Sequence, residues 1–207
     1  MYLDAFDRNP YGTNCWLLAA EGSDDAVVVD PGFEPAAVHA MLRAAGKSPS
    51  AVLLTHAHAD HAQAAGTFAG ALPIYVHPDD AAAVTDYQGW GGMSATELDP
   101  VQDLRTFVDR DMLDLAGFAI EVQHTPGHTP GSSCFVVGGD VLVFSGDLVF
   151  AGTIGRSDFA NSDPDAMRAS LVRFLALPDP LRVLPGHGPE TTVGQERAAN
   201  PFRRGVP

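Results

Sequence analysis

Thr55-His56-Ala57-His58-Ala59-Asp60-His61 puts three imidazoles and a carboxylate into one stretch of seven residues. The run follows Ala51-Val52-Leu53-Leu54, an apolar segment that reads as a buried strand ending where the histidines begin. Imidazole nitrogens and carboxylate oxygens are donors that borderline divalent metals accept. A strand end holds such donors on a rigid support. Composition and spacing make this loop a metal site. The bland alternative, a His-rich solvated turn, carries little weight against so tight a pattern.

Upstream, Cys15–Ala20 and Ala26–Asp30 read as neighbouring strands joined by the polar turn 21–25. Pro35 opens a helix through Ala45 that Gly46 stops. Downstream, a helix is expected over His61–Phe68 and a strand over Ile74–His77. Residues 84–106 carry Tyr87, Trp90 and Met93 with little periodicity; a loop of that length is either a lid or substrate wall, or an inert excursion. Strands follow at Met112–Leu115, Phe118–His124, Ser133–Val137 and Val141–Ser145. Asp163 before Pro164 marks a helix start, and that helix runs through Leu175. A last strand spans Arg182–Leu184. This order suggests two similar halves, sheets packed together with helices outside. No internal linker divides residues 1–207, so one domain is expected.

Three more candidate ligands stand at strand ends beside glycine: His128 in Pro126-Gly127-His128, Asp147 in Ser145-Gly146-Asp147, and His187 in Gly186-His187-Gly188. Glycine lets backbone come close and turn sharply. Singly, each is an ordinary loop residue. With the first cluster they supply five His and two Asp, enough for two metal ions.

The order H-x-H-x-D-H, His, Asp, His, with those glycines, resembles the metallo-β-lactamase superfamily. Asp147, where class B β-lactamases commonly have Cys, points to the glyoxalase II-like branch. The similarity extends to Asp30-Pro31-Gly32, Gly155-Arg156-Ser157-Asp158-Phe159 and Gly188-Pro189-Glu190-Thr191-Thr192. The tail Glu196-Arg197-Ala198-Ala199-Asn200-Pro201-Phe202 is similar to short, single-domain bacterial hydroxyacylglutathione hydrolase relatives. The resemblance implies an α/β fold, the four-layer αββα sandwich. It also implies His56, His58 and His128 on one divalent metal (Zn, Fe or Mn), Asp60, His61 and His187 on a second, and Asp147 bridging. Asp60 and Asp147 are then the catalytic carboxylates.

Two metals about 3.5 Å apart hold a hydroxide at neutral pH, and one of them stabilises the oxyanion formed when it attacks an acyl carbon. A thiolate leaving group, with a pKa near ~8.5, departs without a general acid. The implied reaction is hydrolysis of a small-molecule thioester such as S-lactoylglutathione to hydroxy acid and thiol. The alternative is a mono-iron persulfide dioxygenase, which shares these motifs. Candidate substrate contacts are Arg156, Phe150, Trp90 and Met93, although Arg156 has pairing with Asp158 as its alternative. Asp30 either orients a ligand imidazole or serves only a turn, and His77 either lines the pocket or is a hydrogen-bonded loop residue. His39 is expected on a helix surface. With twenty residues after His187, the helical glutathione-binding domain of longer relatives is not expected.

A net charge of −14 argues against nucleic acid as the partner. No apolar run reaches the ~18 residues of a membrane span. The N-terminus lacks a secretory pattern, so a cytoplasmic protein is expected. Cys15 and Cys134 each lie in an apolar strand-like segment without C-x-x-C spacing and read as buried free thiols.

Overall fold

Apolar runs with both faces covered set the architecture. The computed structural model describes residues 1–7, 9–68, 72–85, 101, 103–139 and 141–203. The first sheet contains Tyr2–Phe6 (β1), Cys15–Ala19 (β2), Asp25–Val29 (β3), Ser48–Leu53 (β4), Ile74–Val76 (β5) and Leu104–Thr106 (β6), in that spatial order. β1 to β3 pair antiparallel, and β3 to β6 pair in parallel. Parallel neighbours need crossovers. These run through Pro35–Ala45 (α1), through the single turn Ala59–Ala62 (α2) with the 3-10 segment Gln63–Phe68, and through Pro78–Thr85 (α3).

The second half begins with Met112–Leu115 (β7), Phe118–His124 (β8), Ser133–Val137 (β9) and Leu142–Gly146 (β10). A small hairpin, Val149–Phe150 (β11) and Thr153–Ile154 (β12), and the helix Pro164–Leu175 (α4) precede Arg182–Pro185 (β13), Thr191–Thr192 (β14) and Val193–Ala199 (α5). The second sheet has the order β14-β13-β10-β9-β8-β7, and α4 provides the crossover between the parallel pair β10 and β13.

Alternate side chains of each strand enter different layers. Trp16, Leu18 and Val27 meet Phe135, Phe144 and Leu184 between the sheets. On the outer face of the first sheet, Leu17, Val28 and Val52 pack with Val38, Met41 and Leu42 of α1. On the outer face of the second, Val136, Val143 and Val183 pack with Met167, Leu171 and Phe174 of α4. Each fully buried Leu or Phe contributes roughly 1.5–3 kcal/mol. The result is the expected αββα sandwich. Cys15 belongs to one outer core and Cys134 to the other, so both are buried free thiols that cannot pair.

Three elements differ from the sequence expectation. The helix expected over His61–Phe68 is one α-turn followed by 3-10 structure, because Gly32 takes two of its backbone groups. Gly32 donates to the His61 carbonyl at 2.9 Å, and Ala64 donates to the Gly32 carbonyl at 2.9 Å. Both ends of the expected loop 84–106 are regular structure, where Val84 and Thr85 finish α3 and Leu104–Thr106 adds a sheet edge. Trp90 and Met93 lie outside the described residues. His39 is half-buried and bonded to Thr67 at 2.8 Å, where an exposed helix position was expected.

The start of α4 follows its sequence signal. Asp163 accepts from the backbone N–H groups of Asp165 at 2.9 Å and Ala166 at 3.0 Å, with Pro164 in the first turn. Loss of such a cap costs about 1 kcal/mol. Asp163→Ala is therefore expected to lower the unfolding free energy by about that amount in a urea titration. An unchanged midpoint would show that the cap is redundant with the packing of α4.

Candidate metal centre

The loops after β3, β4, β8, β10 and β13 converge, and each brings one piece of a buried polar cluster. Three imidazole nitrogens meet first. His58 Nδ1 lies 3.1 Å from His56 Nε2 and 2.9 Å from His128 Nε2. The other ring nitrogens explain why these atoms face one another. His128 Nδ1 donates to the Arg156 carbonyl at 2.7 Å. His56 Nδ1 donates to Thr55 Oγ1 at 3.1 Å, and that hydroxyl in turn donates to Asp30 at 2.7 Å. His56 and His128 thus turn their Nε2 atoms toward the centre.

A second set lies beside the first. His61 Nδ1 donates to Asp30 Oδ2 at 2.9 Å, which leaves Nε2 facing His187 Nε2 at 3.4 Å and Asp60 Oδ2 at 3.5 Å. His187 Nε2 is 3.3 Å from Asp60 Oδ2. Asp147 spans both sets. Its Oδ1 is 3.3 Å from His61, while its Oδ2 is 3.4 Å from His128 and 3.6 Å from His187.

Electrostatics follow from burial and crowding. Burial, reinforced by His128 and His61, pushes the His58 imidazole down to about 3, and His56 is lowered well below its ordinary value for the same reasons. Both are neutral bases with lone pairs to offer. Burial alone would raise the Asp147 carboxyl, but His61, His128 and His187 hold it down at about 2. Burial disfavours charge on His61, yet Asp60, Asp147 and Asp30 raise it well above the usual imidazole range. The cluster therefore demands positive charge at its middle.

Whether the residues fit metal ions can be tested on their own chemistry. The ring nitrogens of His56, His58 and His128 converge at about 3 Å. For bonds of ~2.1 Å, that separation suits ligands adjacent on one ion. His58 Nε2 and Asp147 Oδ1 are buried without a hydrogen-bond partner. The His56, His58 and His128 ring nitrogens form one possible ligand group, and Asp60, His61 and His187 form another. The donor set fits a pair of divalent cations and does not choose among zinc, iron and manganese.

Asp30 contacts the cluster directly, through the His61 imidazole and the Thr55 hydroxyl that bonds to His56. Besides His61 and the Thr55 hydroxyl, it accepts from the Thr55 backbone N–H at 2.8 Å, and it holds φ at 49° to do so. Phe150 sets its ring against His187, with centroids 5.7 Å apart. Arg156 pairs with Asp158 at 2.8 Å and lies 4.5 Å over the Phe159 ring. Phe159 in turn presents its ring to His58 and His128. His77 stacks on His124 with ring centroids 3.9 Å apart, away from the ligand pattern.

Several contributors were not anticipated from sequence. Thr13 donates its hydroxyl to Asp60 Oδ2 at 2.7 Å. The Asn14 side chain donates to the carbonyls of Pro185 at 2.9 Å and Gly188 at 2.8 Å, clamping the loop that carries His187. Buried Glu196 accepts from Gly152 at 3.0 Å, Thr191 at 2.7 Å and Asn200 at 2.8 Å, so α5 braces the hairpin that carries Phe150. The available signal was a polar pair, Thr13-Asn14, opening an apolar strand.

Comparison with known proteins agrees with this geometry. A Mycobacterium leprae protein without an assigned function is 40% identical over the whole of both chains. Hydroxyacylglutathione hydrolase GloC of Haemophilus influenzae is 29% identical, covering 98% of each chain. Among solved structures, TTHA1623 in a di-iron-bound form superposes with a TM-score of 0.83 at 39% identity, covering 96% of this chain and 99% of that one. BLEG-1, a B3 metallo-beta-lactamase, superposes with a TM-score of 0.84 at 32% identity, covering 97% and 99%. The family model described as the metallo-beta-lactamase superfamily matches residues 8–187, a span that takes in every one of the converging histidines and aspartates. A sandwich of this kind, with this cluster at its loop ends and relatives along its full length, belongs to the metallo-beta-lactamase superfamily.

Proposed function

We propose that this chain is a glyoxalase II-like hydrolase of small-molecule thioesters, with His56, His58 and His128 holding one divalent metal, Asp60, His61 and His187 holding a second, and Asp147 shared between them. The observation that carries the reading is Asp147, a carboxylate whose Oδ1 faces His61 and whose Oδ2 lies between His128 of one set and His187 of the other. The similarity to GloC supports the same branch.

When bound, such a metal pair supplies an ionised water at neutral pH and Lewis acidity for a carbonyl oxygen. The residues of the chain do the rest. Thr13 and Asp30 fix Asp60 and His61 so that their lone pairs need no reorganisation during reaction. Phe159 and Phe150 wall the two ends of the centre with apolar surface, which limits bulk water around the reacting carbonyl. Arg156, its charge taken by Asp158, acts as a cap over Phe159. A thiolate needs no proton to leave. Neither cysteine serves as a nucleophile: both lie in the outer cores, and burial pushes the Cys134 thiol up to about 12. A cytoplasmic protein without nucleic-acid partners is the setting this reading assumes.

The test is release of free thiol from S-lactoylglutathione and from a panel of other acyl thioesters by metal-replete protein. Turnover of about 1–10³ s⁻¹, lost on chelation and restored by metal, is expected for at least one thioester. Two bound metals with no thioesterase activity across the panel would overturn the proposal. Oxygen uptake with a persulfide by iron-loaded protein would replace it with the dioxygenase reading.

A further inference from the structure

Asp80 is a fully buried carboxylate in the first turn of α3, outside the ligand pattern. It does not pair with its own helix. Its Oδ2 accepts from the backbone N–H of Ala57 at 3.1 Å and from the Thr129 hydroxyl at 2.7 Å, and its Oδ1 accepts from the backbone N–H of Gly131 at 2.8 Å. Ala57 stands between His56 and His58, and Thr129 follows His128. One carboxylate therefore grips both loops that supply the three converging imidazoles.

The surroundings show how closely this contact is built. A methyl group at Gly131 would lie 2.5 Å from the Asp80 carboxyl carbon, so only glycine lets the loop close on it. The Thr129 hydroxyl, after donating to Asp80, is 2.8 Å from Ser132 Oγ, and Ser132 Oγ also accepts from the Thr129 backbone N–H at 3.0 Å. Among the described residues no basic side chain forms an ion pair with Asp80. A buried, unpaired carboxylate costs folding free energy. Bonding to two ligand loops at once is what it offers in exchange. A negative charge behind neutral imidazoles also favours a cation in front of them.

We infer that Asp80 is a positioning residue that sets the spacing of His56 and His58 against His128, and through it the metal affinity of the three-histidine position. The inference rests on the metal assignment of the proposed function. Removal of an outer partner of metal ligands lowers affinity by roughly 10–100-fold. Because Asp80 bonds to nothing in the Asp60, His61 and His187 set, the loss falls on one position.

The experiment is a zinc titration of the ¹⁵N-histidine-labelled full chain, buffered for free zinc and followed by NMR of the imidazole nitrogens. Wild type is compared with Asp80→Asn and with Thr129→Val, the latter removing one of the three bonds in case Asp80→Asn does not fold. In Asp80→Asn, half-saturation of His56, His58 and His128 is expected at roughly 10–100-fold higher free zinc. His61 and His187 are expected to keep their wild-type midpoints. Thr129→Val is expected to shift the same three signals in the same direction by a smaller factor. Equal shifts at all five histidines would show general destabilisation and overturn the inference. So would wild-type midpoints in a folded Asp80→Asn, or in Thr129→Val. If wild type itself showed no zinc-dependent imidazole shifts, the metal assignment would fall first and this inference with it.

Discussion

Asp147→Ala is expected to lower thioester turnover by about 10²–10³-fold while the chain still folds, a loss of the size seen when one preorganised electrostatic partner of the transition state is removed. The side chain is 9% exposed and faces His61, His128 and His187 together, so no neighbouring group takes its place. Folding survives for a specific reason: the Asp147 carboxylate faces only the imidazoles of the cluster, and none of the three hydrophobic cores includes it. Circular dichroism and a denaturant midpoint report the fold, and thiol release reports the reaction. Metal content separates two routes to inactivity: one ion lost points to a shared ligand, both retained to a purely electrostatic role. Activity within tenfold of wild type would dismiss Asp147 from the centre of the chemistry.

The residues that converge were legible because their information is local. Seven consecutive residues carry four donors, and glycine flanks His128, Asp147 and His187 wherever backbone must pass close. The sandwich was legible for a similar reason: runs such as Ala26–Val29 and Leu142–Phe144 are apolar on both faces, as covered strands must be. What single-sequence reading missed is non-local. Thr13 meets Asp60 across 47 positions and Asn14 meets Pro185 across 171, and nothing in either local segment names the partner. Asp80 illustrates the difficulty. Pro78-Asp79-Asp80 carries a helix-start signal, but Ala81-Ala82-Ala83 has too little apolar periodicity to be read as a helix. Its carboxylate also resembles any acid in a first turn. Only the fold shows that it points inward to two loops. β1 was missed because Asp4 and Ala5 are exposed on an edge strand, where the hydrophobic pattern is weakest.

Gly186→Ala is expected to reduce turnover by about 10²-fold, because misplacing a reacting group by ~1 Å has that consequence. A Cβ at this position would collide with Asp147 Oδ1 and lie 2.6 Å from His61 Cε1 and 3.1 Å from the Gly146 carbonyl carbon. The backbone cannot retreat, since Gly186 donates to the Gly146 carbonyl at 2.9 Å and its own carbonyl accepts from Asn14 at 2.7 Å. The methyl must therefore displace Asp147, which spans both sets, or His61 of the second. Overpacking of this kind costs about 1–3 kcal/mol of stability. Gly188, two residues on, supplies the contrast. It has φ of +76°, and a methyl placed there would meet nothing within 4 Å. Gly188→Ala is thus expected to cost about 1–2 kcal/mol through backbone strain alone, and Gly188→Asn less, because asparagine tolerates that region better. Both Gly188 variants should keep most of their activity. Thiol-release kinetics and urea midpoints on the three variants separate the two effects: crowding at 186 removes activity out of proportion to stability, and strain at 188 does the reverse. Equal activity in Gly186→Ala and Gly188→Ala would mean that the contact among Gly186, Asp147 and His61 is not what holds the two ligand sets in register.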